Sequence, residues 1–170
     1  MKRYLAVFSL FSIMLSAESG LLEVIWPKMD KQQLQMQKAY PSNLKKKVAN
    51  VTLPVYIPRQ YIYNQTMSIV ADESYYTITV YLDKARIMIT GDRTYQESVD
   101  KADAVFQKIM KSNTIEFIHA EGMMMTDFNR HGVNYTLLVE CDHPKSDKRC
   151  SDESFLRNLY EGLIIVGGKR

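Results

Sequence analysis

Between Tyr75 and Thr90 apolar and polar residues alternate, and the pattern breaks only at Asp83-Lys84. Tyr76, Ile78, Val80 and Leu82 fall on one side of an extended segment, and Tyr75, Thr77, Thr79 and Tyr81 fall on the other. Ile87 and Ile89 resume the apolar side in Ala85–Thr90, after the break. Two period-2 runs joined by two residues predict a β-hairpin. A hairpin with one apolar face calls for an antiparallel sheet covered on that side.

The neighbouring segments extend this frame. Upstream, VTLPVYIP carries Pro54 and Pro58, so a strand there belongs at a sheet edge. A short strand is expected around Ser68–Val70. Downstream, Val99, Ala102, Val105, Phe106, Ile109 and Met110 repeat at three- and four-residue steps and predict a helix over Gln96–Lys111. Strands follow at Ile115–His119, Gly122–Phe128 and Val133–Cys141, with Asn129–Gly132 as a turn between the last two. Ser151-Asp152-Glu153 then opens a helix carrying Phe155, Leu156, Leu159 and Tyr160, and Leu163–Val166 is a last apolar piece. Strands, helix, strands, helix is an α+β order. The expectation is an antiparallel sheet of about six strands with two helices on one face. Residues 68–110 and 115–160 read as a βββα-βββα pseudo-repeat in element order, not in residue identity.

The start of the chain reads as an address. Lys2 and Arg3 precede an uncharged run of twelve residues, Tyr4–Leu15, and the small residues Ser16, Ala17 and Ser19 follow. This is the secretory pattern, and the run is shorter than the roughly 20 residues a membrane helix needs. A cleaved signal peptide over residues 1–19 is expected, leaving a mature chain from Gly20 with no transmembrane segment. Residues 20–50 read as a polar tether or loose helix, with Gln32, Gln33, Gln35, Gln37 and Lys45-Lys46-Lys47. Residues 51–170 read as a single α+β domain. The net charge of +3 falls to +2 when the leader takes away two basic residues and one acidic one. So small a charge argues against nucleic acid as a partner.

An exported chain changes the meaning of its cysteines. Cys141 and Cys150 are the only two, and they bracket a polar stretch with one proline. In an oxidising compartment such a pair is expected to form a disulfide. The rival is a zinc site, which prefers cysteines two to four residues apart and a second ligand pair.

The chemistry-bearing residues are few. His119, His131 and His143 are spaced twelve apart. His131 lies in the turn and His143 past the far end of the returning strand. A strand of that length spans roughly 25 Å, so these two cannot share an ion. His119, Glu121, Asp142 and His143 are expected at one end of the sheet, and form a candidate metal set. Met123-Met124-Met125 is a weak thioether pair that reads first as core filling. Tyr61 and Tyr63, and again Tyr75 and Tyr81, are expected to share strand faces and make the candidate binding surface. There is no nucleophile elbow, phosphate loop or dinucleotide fingerprint, and no cofactor is expected. The pattern points to an exported, non-enzymatic binding or accessory protein of the bacterial periplasm. It would contact a protein or envelope polymer through an aromatic sheet face. The alternative is a small exported hydrolase or metal-binding protein using His119 and His143.

Overall fold

The computed structural model describes residues 19–96 and 115–170. All of the expected signal peptide (1–19) but Ser19, and all of the expected helix (Gln96–Lys111) but Gln96, lie outside the described residues; Ser19 and Gln96 themselves pair with each other as strand residues. The first strand is β1 (Ser19–Leu21), followed by helices α1 (Lys31–Ala39) and α2 (Ser42–Lys47). Strands β2 (Val55–Pro58), β3 (Met67–Ala71), β4 (Tyr75–Leu82), β5 (Ala85–Asp92) and β6 (Thr94–Gln96) come next. After the gap come β7 (Ile118–Ala120), β8 (Met123–Arg130) and β9 (Val133–Cys141). Two short helices, α3 (Lys148–Ser151) and α4 (Glu153–Glu161), lead into β10 (Leu163–Gly167).

Six strands form one antiparallel sheet in the order β3-β4-β5-β9-β8-β7. The Asp83-Lys84 hairpin holds as expected, with Leu82 opposite Ala85 and Lys84 at φ 53°. The expected four-residue turn at Asn129–Gly132 is tighter. Strand β8 runs on to Arg130, and His131 (φ 59°) and Gly132 (φ 76°) make the turn alone. Two successive positive φ values match the right-handed twist of the strands they join. The fold is therefore α+β and mostly sheet. Three-stranded meanders stand on either side of the β5–β9 junction, but the helix that would complete the first unit lies outside the described residues, so a repeat is not established.

One face of the sheet is buried. Tyr76, Ile78 and Val80 of β4, Ile87 and Ile89 of β5, and Tyr135, Leu137 and Val139 of β9 are all within 2 % of full burial. Alternation put these residues on one side, and burial of each large apolar side chain stabilises by roughly 1.5–3 kcal/mol. The covering layer is mixed. Strands β2 and β10 pair only with each other, antiparallel. Val55, Tyr56 and Ile57 of this ribbon are buried, together with Leu156 and Leu159 of α4. Two phenols pin the ribbon to the sheet. Tyr56 N–H donates to Tyr76 Oη at 2.8 Å, and Tyr135 Oη donates to the Pro54 carbonyl at 2.9 Å. Burial raises the pKa of both phenols, so they remain neutral hydrogen-bonding groups.

Residues 20–50, expected as a tether or loose helix, lie against this body. Leu22 N–H donates to the Arg93 carbonyl, and Ile25 N–H donates to the His131 carbonyl at 2.9 Å. Helix α1 opens with a capping box, Asp30 accepting from Gln33 N–H at 2.7 Å while the Gln33 side chain accepts from Asp30 N–H. Helix α1 buries no residue. Tyr40, Leu44 and Val48 stand four residues apart and are all buried, the last two to within 2 %. The lysine triplet between them conceals a helical stripe.

Cys141 and Cys150 are disulfide-bonded, with Cα atoms 6.2 Å apart. Arg149 stitches the intervening loop back to the sheet. It donates to the Asp147 carboxylate and, through Nη2, to the Asp83 carbonyl at 3.0 Å. Among the described residues no helix is long and apolar enough to cross a membrane.

Candidate functional site

The expected tyrosine surface does not assemble. Tyr61 ends a 3-10 turn (Arg59–Tyr61) and Tyr63 follows in a loop, so neither lies on a strand. Pro58 stops β2 before it reaches them, because its ring removes a ladder donor. Tyr75 and Tyr81 do share the outer face of β4, paired with Asp92 and Arg86. They stand at opposite ends of the strand, roughly 20 Å apart at the usual rise. These rings are exposed singly, not as one patch.

The expected metal set fares similarly. The turn at Glu121-Gly122 does lie beside the cysteine loop, since a methyl on Gly122 would come within 2.9 Å of Pro144. His119, Glu121, Asp142 and His143 thus share one end of the sheet, and all four are exposed. Among the described residues, however, no three His, Cys, Asp or Glu side chains come together as a metal would require. His119 pairs with Met124 and Glu121 sits in the turn at φ 47°. Met124 is buried in the core while Met123 and Met125 line the outer face, half-buried.

The structure instead builds a site where no spacing pointed. A cleft of about 560 Å³ opens between α1, the β2–β10 ribbon and the β8–β9 turn. Its walls carry Lys28, Arg59, Arg130 and His131 and no carboxylate. Its apolar surface comes from Pro27, Met29, Met36, Tyr40 and Tyr56, and from Leu163, Ile164 and Ile165 of β10. The volume is that of a small-molecule site.

Arg130 is the centre of this arrangement. It closes β8, and the tight turn after it fixes its direction. Its guanidinium carbon stands 5.1 Å from the Tyr56 ring centre, 5.2 Å from Phe128 and 5.0 Å from Tyr160. Phe128 and Tyr160 meet edge to face at 4.9 Å and form a backing for the cation. Tyr56 lies parallel to His131, 6.3 Å away, and edge-on to Tyr135. Burial raises the Tyr56 phenol pKa, and the charge and hydrogen bond of Arg130 pull against that rise. Burial, and then the Arg130 charge, lowers the pKa of His131. At neutral pH the imidazole is therefore uncharged and Arg130 supplies the positive charge of this corner.

The segment that follows β1 braces the turn, through Glu23 and Ile25. The Glu23 carbonyl lies so close to Gly132 that a methyl there would collide with it. A side chain at Gly132 would push the Glu23 segment away from the wall that holds Arg130. Four separate stretches of chain meet here, which is why no local motif announces the site. The one local signal was Arg59 standing between Tyr56 and Tyr61, and Arg130 two residues after Phe128.

No known protein family, curated protein or solved structure matches this chain.

Proposed function

We propose that this chain is an exported, non-enzymatic binding or accessory protein of the bacterial cell envelope, acting in the periplasm, and that it holds its partner in the cationic cleft. One observation carries the reading. Lys28, Arg59 and Arg130, with the imidazole of His131 beside them, surround an aliphatic and aromatic floor, with no acid in the lining to neutralise the three charges. The Arg130 guanidinium, packed on rings, is pre-organised for anionic oxygens, because little side-chain freedom is lost on contact. Export is supported by the leader pattern and by the Cys141–Cys150 bond, since such bonds persist in oxidising compartments. A protein or envelope polymer would engage the cleft by offering it an anionic group.

The test is native mass spectrometry of the protein expressed with its own leader in a bacterial host. The expected product is periplasmic, starts at Gly20, and carries a non-covalent adduct that Arg130→Met loses. Recovery of the intact Met1 chain from the cytosol overturns the export reading. A periplasmic protein whose cleft carries nothing, and takes nothing up from envelope extract, overturns the binding reading.

A further inference from the structure

We infer that the cleft takes an anionic amphiphile: one carboxylate or phosphate head on a flexible apolar chain, with the head on Arg130 and Arg59 and the chain along β10. This rests on the binding reading above and narrows the anionic group in the cleft to the head of an amphiphile, in place of a polyanionic stretch of a macromolecule.

Two halves of the cleft make opposite demands. Among the described residues the ion pairs join Arg86 to Glu140, Arg149 to Asp147 and Arg157 to Glu153. Neither Arg130 nor Arg59 takes part. The rings around Arg130 orient it, yet they do not cancel its charge. A free anion such as inorganic phosphate answers that demand alone. It leaves Leu163, Ile164 and Ile165 of β10 wet, and with them Met36, which is 38 % exposed. A neutral lipid covers these side chains but dries the cleft around Arg130 without offering its charge a counter-ion, which is costly. A long polyanion needs a row of cations, and here the cations surround an apolar floor. Only a molecule that is charged at one end and apolar at the other meets both conditions. Met29 and Met36 suit a flexible chain, because unbranched thioethers adapt to irregular shapes.

The experiment is calorimetric titration of the full mature chain, with each probe below its micelle concentration. The probes are octanoate, decanoate, dodecanoate, dodecyl phosphate, dodecanol and inorganic phosphate. Saturable one-to-one binding of dodecanoate or dodecyl phosphate is expected. From octanoate to dodecanoate affinity should rise about tenfold, for four methylenes half-covered in an open cleft. Dodecanol should bind at least tenfold more weakly than dodecanoate, and Arg130→Met should cost at least tenfold. Arg59→Gln, at an exposed position, should cost several-fold and decides the matter if Arg130→Met does not fold. Either head on the chain supports the inference, and the preferred head separates a free acid from a phosphate-headed lipid. Equal binding of dodecanol, no dependence on chain length, or unchanged binding by the arginine variants overturns it. If the native protein carries a ligand that is not amphiphilic, the inference falls and the binding function stands. If it carries and binds nothing, both fall.

Discussion

Gly91 shows how tightly single positions are held in this protein. A methyl there would meet ring atoms of Tyr76 and Tyr135 and the Leu53 side chain at 2.5–2.9 Å. Rings packed in a core cannot swing aside as a long chain end can. Gly91→Ala should therefore destabilise the fold by about 1–3 kcal/mol, seen as a lowered urea midpoint with unchanged slope. Asp147 makes a different prediction. Hydrogen bonds from the Arg149 side chain, and then from its backbone N–H, bring its pKa from 3.8 to about 2. A folded pKa below the unfolded one means that ionised Asp147 stabilises the protein above about pH 4. That contribution is lost as pH falls from 4 towards 2. Carboxyl NMR titration should find the Asp147 midpoint near 2, and Arg149→Met should move it part of the way up to the ordinary aspartate range, because the backbone N–H at 149 still donates. Asp147→Asn should flatten the acid limb of stability between pH 4 and 2. Sequence alone identified Asp147 only as part of a polar loop, because a pKa is set by donors that the fold brings into place.

Among the elements, α2 departs most from its sequence pattern. Its residues read SNLKKK, and three of the six are lysine. Burial of Leu44 and Val48 makes it part of the body. Leu44→Ala should cost about 2–5 kcal/mol by emptying a packed site, whereas the same change in a solvated tether would cost almost nothing. Thermal unfolding of the variant decides between these outcomes. The hairpin of β4 and β5 lies at the other extreme. Eight residues alternate on each side of a two-residue turn, so the pattern alone sets both the register and the buried face. Where apolar positions are frequent and periodic, an element is legible. Where they are few and flanked by charge, as at Tyr40, Leu44 and Val48, it is not.

Across the whole molecule, the covering layer is assembled from both ends of the chain. The C-terminal strand β10 pairs with β2, Lys169 N–H donates to the Val51 carbonyl, and the Arg170 guanidinium donates to the Pro27 carbonyl at 3.0 Å. The Cys141–Cys150 bond closes the chain just before this return, with Cys150 fully buried. Removing a native bond of this kind typically costs about 2–5 kcal/mol. Reduction, or the double change Cys141→Ala and Cys150→Ala, should lower stability by that order in chemical denaturation. It should also loosen α3 and α4 before the β4–β5 hairpin, as amide exchange would report. Equal protection of both regions would show that the disulfide does not hold this end of the fold.

Read alone, the 170 residues determined the antiparallel hairpins, the α+β class, the pairing of two cysteines and the final helix. Each of these is written in spacing along one stretch of chain. Tertiary structure alone decided that the lysine-rich segment belongs to the core, that the tyrosines stand apart, and that Lys28, Arg59, Arg130 and His131 line one cleft. The reason is physical. Periodicity reports which way a side chain points within its own element, but a site made of four distant segments exists only once long-range packing has brought those segments together.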